Sequence, residues 1–456
     1  MVSPRVVSIE SLLVLSDVHL GSDIAEGAKN PTRRSERVDR DLVRLLDHYR
    51  AQERRWRLVI AGDFIDFIGM TVRADDVATP LTAEEREHGL GSAVDHARLK
   101  LRRVATRHAS VFAALAAFVA AGHALTLVHG NHDIELYWDE VQADFREILQ
   151  EHQPSLDAHR IEFAPWFFYR DGVAYIEHGH QYDPFCSTAH VMAPLSPRDP
   201  RRLVRGFCDT LLRYVVRQTR GMSEHGHESV GLLHYLSFAL RLGVLGTARL
   251  AMQFVLAIVE LFRLRRAHWS EAAERLRAEH ERRVAKLAAA MRDGPARLHA
   301  LLSLQVAPIT STVRGILKSL LLDRLVLALV AVLCTALVAW SQIYWLAPLT
   351  LIAWFGADRW LTAQRSVDPA QTMVDRAAQL ARIFPAAFVV MGHTHTPVSL
   401  PAGAATYVNL GAWAEDEEPH ASYRAPRTHL VIHVEDAGAE AQFYAWDETG
   451  PRPWQG

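Results

Sequence analysis

Five short stretches of this chain end in side chains that bind cations. They are Asp17 and His19 in SDVHLGS, Asp63 and Asp66 in AGDFIDF, Asn131, His132 and Asp133 in HGNHDIE, His178 and His180 in EHGHQYD, and His393 and His395 in MGHTHTP. Carboxylates, an amide oxygen and imidazoles, with no thiolate among them, suit Mn²⁺, Fe²⁺, Zn²⁺ or Ni²⁺ better than a soft-metal or cluster site. There are donors enough for two ions, and a carboxylate such as Asp63 could bridge them. A pair of cations can clamp a phosphoryl group and lower the pKa of a water into the physiological range, so the chemistry expected is in-line attack on phosphorus. Taken alone, His393 and His395 read equally well as two exposed loop histidines. Five such endings in one chain favour a shared site.

The elements that must position these residues are legible as apolar runs. LLVLSD, RLVIAGD, LTLVHGN and VAYIEHG alternate with segments of helical period, such as Val38, Leu42, Leu45, Leu46 and Tyr49, or the Ala-rich stretch before Gly122. That alternation describes an α/β layered domain. Ligands in open α/β sheets gather beyond the carboxyl ends of the strands, where loops diverge. From about residue 185 to 380 the chain becomes helical and either Arg-rich or apolar. Beyond it, AAFVVMGH, ATYVNLGAW, THLVIHVE and AQFYAWD read as four more strands. The expected organisation is one α/β domain, 8–184 and 381–450, interrupted by a helical insertion at 185–380.

Asp-x-His, Gly-Asp, Gly-Asn-His-Asp, His-Gly-His and Gly-His-x-His, in this order at strand ends, resemble the calcineurin-like metallophosphoesterase family. The resemblance covers residues 12–184 and about 386–446. It implies a four-layer αββα sandwich and hydrolysis of a phosphodiester or pyrophosphate bond with two divalent ions, Mn²⁺ being the first expectation. Motif by motif, it implies that Asp17, His19 and His395 hold one ion, that Asp63 bridges, and that Asn131, His178 and His393 hold the other. It further implies that His132 contacts the phosphate and protonates the leaving oxygen, with Asp133 orienting it. His180 reads as a supporting or structural residue, Asp66 and Tyr182 as loop-fixing hydrogen-bonders, and Asn409 and Trp413 as packing around the site. Within the family, an Arg-rich helical insertion with an apolar hairpin resembles the branch of UDP-2,3-diacylglucosamine hydrolases. That branch has arginine in place of His132, aspartate in place of His180 and a shorter insertion; at both points this sequence keeps the more general phosphodiesterase pattern.

The insertion raises the question of a membrane. No charged residue interrupts Leu325 to Gly356, and a spanning helix needs about 20 such residues. Trp340, Tyr344, Trp345, Trp354 and Trp360 suit interfacial aromatics. Ligands lie on both sides of the insertion, so it must cross an even number of times or not at all. A shallow hairpin with arms Leu325–Trp340 and Ile343–Trp360 is the expectation, and Gly231–Phe262, with Arg241 and Arg249, reads as a poor span. Arginines between Arg198 and Arg220 read either as a basic helix lying on anionic lipid or as a helix packed on the domain. Arg263 to Lys286 reads as a solvated helix with i,i+4 pairs, and SEHGHES at 223–229 as a loop.

Composition sets the outer bounds. With 456 residues, 49% hydrophobic, 22% charged and net charge −2, the chain is neither disordered nor basic enough to suggest nucleic-acid binding. The beginning reads as a first strand and not as a secretory signal. Three cysteines, Cys186, Cys208 and Cys334, favour a reducing compartment. The expected place is thus the cytoplasmic face of a membrane, the inner one in a bacterial cell, and the expected substrate a phosphoester that is lipid-linked or a nucleotide-lipid. Other expectations are a soluble general phosphodiesterase, and a membrane-anchored regulatory or scaffold protein that uses the same fold.

Overall fold

In the first strand, alternate residues serve two different cores. Leu12 and Val14 face one way and Leu13 and Leu15 the other, and all four are fully buried. A strand apolar on both faces must lie inside a layered structure. The computed structural model describes residues 10–27, 36–219, 232–267, 269–319, 322–363, 368–414, 426–435 and 438–455. Up to the insertion it has β1 (Ser11–Leu15), α1 (Glu36–Arg50), β2 (Trp56–Ala61), α2 (Ala83–His88), α3 (Val94–Arg107), α4 (Ala109–Ala120), β3 (Ala124–Val128), α5 (Asp139–His152), β4 (Ile161–Ala164), β5 (Phe167–Arg170) and β6 (Gly172–Glu177). A helical stretch follows, with α6 (Phe207–Tyr214), α7 (Leu232–Ala267), α8 (Glu271–Ala289), α9 (Gly294–Leu304), α10 (Val313–Ser319), α11 (Leu322–Trp340), α12 (Ala347–Ala363) and α13 (Pro369–Ile383). Six strands close the chain: β7 (Ala386–Met391), β8 (Val398–Ala402), β9 (Ala405–Asn409), β10 (Arg427–Glu435), β11 (Gly438–Asp447) and β12 (Gly450–Pro453).

The strands form two sheets, ordered β12-β11-β10-β1-β2-β3-β4 and β5-β6-β7-β9-β8. In the first, β1 through β4 are parallel, and β10 joins β1 antiparallel with Leu13 opposite Val431. In the second, β6, β7 and β9 are parallel. Leu12, Val14, Val59 and Val128 of one sheet meet Ala174, Ile176, Val390 and Val408 of the other in a shared core. On the far side of the first sheet Leu13, Leu15, Leu58 and Ile60 pack on Leu42 and Leu46 of α1, Phe112 of α4 and Phe145 of α5. On the far side of the second, Tyr175, Val389 and Tyr407 pack on Leu298 and Leu301 of α9 and Met373 and Leu380 of α13. The layers run helix, sheet, sheet, helix. Two helices from the 185–380 stretch, α9 and α13, therefore complete the second sheet's outer layer.

Four strands had no counterpart among the apolar runs of the sequence: β4, β5, β8 and β12. All four are sheet edges.

The arginine-rich segment after residue 198 turns inward. Arg202 makes two hydrogen bonds to Glu85, at 2.8 and 2.7 Å, and Glu85 also closes the capping box of α2 with Thr82. Arg205 and Arg213 both pair with Glu84, and Arg213 also donates to the carbonyls of Gly89 and Leu90. Of the two readings for this segment, a helix packed on the domain is the one found; α6 has only eight residues, and its one arginine, Arg213, is spent on protein acceptors, as are Arg202 and Arg205 before it. Removing Arg202 would leave Glu85 buried without its main counter-charge, a loss of about 3–5 kcal/mol for a broken buried pair. Arg202→Ala should accordingly lower the melting temperature sharply; a melt unchanged within error would show that the pair does not anchor the insertion.

Helices α11 and α12 form an antiparallel hairpin that turns through Ser341–Leu346, with Gln342 at φ 57°. No residue from Val326 to Leu361 is buried. Trp340 is 89% exposed, and Leu329, Leu333, Leu337, Ile352 and Phe355 are each more than half exposed. Helix α7 breaks at Gly243 (φ 68°), and its portion Arg241–Ala267 is, among the described residues, the helix long and apolar enough to cross a membrane. The sequence expectation of a poor span concerns Gly231–Phe262, which overlaps this portion and contains Arg241 and Arg249; length and composition alone let Arg241–Ala267 pass. Beyond it, α8 starts afresh with Ser270 as its cap, and Arg283 pairs with Glu279 at i,i+4. Residues 223–229 lie outside the described residues.

Candidate metal centre

Five parallel strands from two sheets, β1, β2, β3, β6 and β7, deliver their carboxyl ends to one place. Within the second sheet Gly392 N donates to His178 O (3.0 Å) just past the ends of β7 and β6, and His393 N crosses to the first sheet, donating to Asp17 Oδ2 (3.0 Å). Behind them, Asn409 Nδ2 donates to Gly392 O (2.7 Å), while the Trp413 and Ala414 amides both donate to Asp17 O. Asn409 and Trp413 thus hold backbone.

Seven described non-glycine residues have positive φ, and five of them are Asp17, His19, Asp63, His393 and His395. Left-handed backbone costs an L-residue roughly 1–2 kcal/mol. Such strain persists only where the surroundings enforce it, and it clusters at functional sites. Here it turns successive side chains toward a common centre.

Each carboxylate has one oxygen held and one presented. Asp17 Oδ2 accepts from Ser16 Oγ and His393 N, whereas Oδ1 is buried, makes no hydrogen bond, and lies 3.2 Å from His395 Nε2 and 3.8 Å from His19 Nε2. Asp63 Oδ1 accepts from His132 N (2.8 Å); its Oδ2 lies 3.1 Å from His178 Nε2 and 3.7 Å from His19 Nε2. His178 donates from Nδ1 to Ala61 O (2.9 Å), which points Nε2 at Asp63 and at Asn131 Oδ1, 3.1 Å away. Asp17, Asp63, His19, His178, His395 and Asn131 are in this way brought together.

His393 lies differently. Its ring is 5.2 Å from that of His178, but Nε2 is hydrogen-bonded to Asp183 Oδ2 at 2.9 Å, in a second potential ligand group with Cys186. Asp183 was missed in the sequence, although it stands only three residues past His180.

The charges agree with a cation site. Burial opposes ionisation of Asp17, yet His178, His19 and His395 hold its carboxyl far below the usual range, and Asp63 is likewise lowered against burial by His178 and His132. Burial would depress His178, but Asp63 and Asp17 raise it to about 9. The His178 imidazolium thus places positive charge beside the presented oxygen of Asp63, while burial lowers His19. Burial, with His178 and His393 nearby, keeps His180 neutral; it is 5% exposed and its Nδ1 has no hydrogen bond.

His132 is part-exposed at the edge of the group, its ring 4.6 Å from that of His19. Its Nδ1 bonds Asp66 Oδ1 at 2.7 Å, and Asp66 also accepts from Gly69 N. The sequence reading gave the orienting part to Asp133; the hydrogen bonds assign it to Asp66. Asp133 is fully buried, and its two oxygens are taken by Gly130 N (2.6 Å) and Phe64 N (2.8 Å), so it shapes the loops that carry Asp63 and Asn131. Tyr182 donates to Glu177 (2.6 Å) and is a packing residue.

Gly130 and Gly392 make this crowding possible. A β-carbon at Gly130 would collide with Asp63 Oδ1 and the Asp63 amide, and one at Gly392 with Ser16 Oγ and Asp17 Oδ2. Gly130→Ala should therefore reduce metal affinity by at least the ~10–100-fold that loss of a supporting partner costs. Calorimetric titration with Mn²⁺ checks this, and wild-type affinity in the variant would contradict the packing.

Residues 11–201 match the family model described as calcineurin-like phosphoesterase. The chain thus contains a domain of that family, whose members are metal-dependent phosphoric ester hydrolases. No curated protein matches the chain. The matched region includes Asp17, His19, Asp63, Asn131, His132 and His178; past β7, His395 reaches the same centre and His393 lies beside it on Asp183.

Proposed function

We propose that this protein is a membrane-associated phosphoesterase that uses two divalent cations, Mn²⁺ first among them, to hydrolyse a phosphodiester or pyrophosphate bond. The observation that carries the reading is the convergence of two half-satisfied carboxylates and three imidazoles, with Asn131, at the joint end of both sheets. The donor set fits: Asp17 Oδ1 is a buried charged oxygen without a hydrogen bond, and Asp63 Oδ2 faces imidazoles from both flanks. Asp17, His19 and His395 would hold one cation, and Asn131, His178 and His393 the other, His393 offering Nδ1 while its Nε2 stays on Asp183; Asp63 would serve both. Bound there, the cations would neutralise phosphoryl oxygens and make a water nucleophilic at neutral pH. His132, oriented by Asp66, would protonate the leaving oxygen.

Substrate delivery follows from the hairpin. Arms of 19 and 17 residues are about 28 and 26 Å long, close to the ~30 Å hydrocarbon core. Outside the seam where the two arms meet, their apolar side chains are exposed on every side; this suits lipid, which surrounds a hairpin, better than a protein partner, which covers one face. Trp340, Tyr344 and Trp345 at the turn suit an interface. Since ligands before and after the insertion meet in one site, the hairpin would leave and return on the same face. We place that face in the cytoplasm, consistent with three free cysteines, and the substrate among lipid-linked phosphoesters.

The decisive test is hydrolysis by detergent-purified protein with Mn²⁺, followed by ³¹P NMR, on bis(p-nitrophenyl) phosphate and on a lipid-linked diphosphate. Cleavage that stops with chelator and returns with metal is expected, with the lipid preferred. Failure to cleave any phosphomonoester, phosphodiester or pyrophosphate with any divalent cation would refute the reading. Separately, the protein should sediment with membranes through a high-salt wash, and glutamate at Leu329, Leu333 and Leu337 should release it; wild-type protein in the soluble fraction would refute membrane association.

A further inference from the structure

Cys186 and Cys208 bring their sulfurs to 3.4 Å across the seam between the metal-centre loops and the insertion. Cys208, on α6, is exposed; Cys186 is half-buried. The two segments are already in register, for the rings of Phe185 and Phe207 pack at 5.5 Å beside the thiols.

Cys186 is tied to the site through Asp183. The Asp183 carbonyl accepts from Cys186 N (3.1 Å) and Ser187 N (2.8 Å), its Oδ1 from Phe185 N (2.9 Å), and its Oδ2 from His393 Nε2 (2.9 Å). The turn at 183–187 therefore moves as a unit that includes the partner of His393. On the other side, α6 is pinned by Arg205 and Arg213 to Glu84 and the Gly89 and Leu90 carbonyls.

We propose that Cys186 and Cys208 are a modification site: a peroxide oxidises them to a disulfide that thiols reverse, and the disulfide weakens the metal centre. It rests on the phosphoesterase reading above for its effect on turnover. In the first step the Cys208 thiolate attacks a peroxide oxygen, the O–O bond breaks, and a sulfenic acid forms with release of hydroxide, which takes up the proton the thiol lost. In the second, the Cys186 sulfur attacks the sulfenic sulfur and water leaves. Two thiols and one hydrogen peroxide thus give one disulfide and two waters. Bonding draws the sulfurs to about 2.05 Å. Since α6 is held, the shift falls on the 183–187 turn and displaces Asp183 from His393.

The test uses full-length protein in detergent, stripped of metal, treated with equimolar hydrogen peroxide, desalted and returned to Mn²⁺. Peptide mapping without reductant should find Cys186 joined to Cys208, and calorimetry should show Mn²⁺ affinity lowered about tenfold, as for loss of a supporting partner. Turnover should fall in parallel, dithiothreitol should restore both, and Cys208→Ser should resist peroxide. Absence of the Cys186–Cys208 peptide, a crosslink through Cys334 instead, or a disulfide that leaves Mn²⁺ affinity unchanged would each overturn the proposal. Mn²⁺ binding is read without substrate, so a failed hydrolysis assay counts against the phosphoesterase reading and leaves this one to stand or fall on its own.

Discussion

Asp63→Asn is expected to abolish metal-dependent hydrolysis while leaving the fold intact. The amide is isosteric and its oxygen can still accept from His132 N, so the loop keeps its hydrogen bond. What disappears is the negative charge on Oδ2, the oxygen that faces His178 at 3.1 Å and His19 at 3.7 Å. Loss of a supporting partner around a metal typically costs ~10–100-fold; loss of the shared carboxylate itself should exceed that range. Turnover and Mn²⁺ affinity would be measured together with circular dichroism. Full activity in a folded Asp63→Asn protein would exclude the two-cation mechanism.

His132→Ala should reveal its role through the leaving group. A general acid contributes about 10²–10⁴-fold where the departing oxygen is basic. A nitrophenolate needs little protonation and an alkoxide much, so the variant should lose far more activity on an alkyl phosphodiester than on its nitrophenyl analogue. An equal loss on both would make His132 a binding residue only. Asp66→Asn should produce the same leaving-group pattern in weaker form, because Asp66 fixes His132 Nδ1; Asp133→Asn, whose carboxylate spans Gly130 N and Phe64 N, should instead lower stability.

That contrast shows where the sequence is legible. Strands at sheet centres advertise themselves: β1, β2 and β3 are apolar on both faces, and each ends in a donor residue. The edges β4, β5, β8 and β12 have one pairing side and few buried positions, so VSLPA and GPRP carry little apolar signal. Donor identity could be read from residue type at strand ends, since it depends on local order. The choice between Asp66 and Asp133 as partner of His132 could not, because it depends on which loop amides capture a carboxylate first. Likewise the cluster of arginines after residue 198 was plain, but Arg202 meets Glu85 across 117 positions of chain, and no local pattern states that. Asp183 escaped notice for the same reason: its meaning lies in His393, 210 positions away.

The pairing of β1 with β10 sets a schedule for biosynthesis. Leu13 finds Val431 more than four hundred residues after it has been made, with the entire apolar hairpin synthesised in between. At ~5–20 residues per second, that interval lasts roughly 20–80 s. During it, the N-terminal strand carries an open pairing edge, a template for wrong partners. His393 and His395 arrive near its end, so the ribosome finishes the apolar helices α11 and α12 before the candidate metal centre can be assembled. Synthesis of the apolar hairpin and completion of the site are thereby ordered in time by the position of the insertion alone.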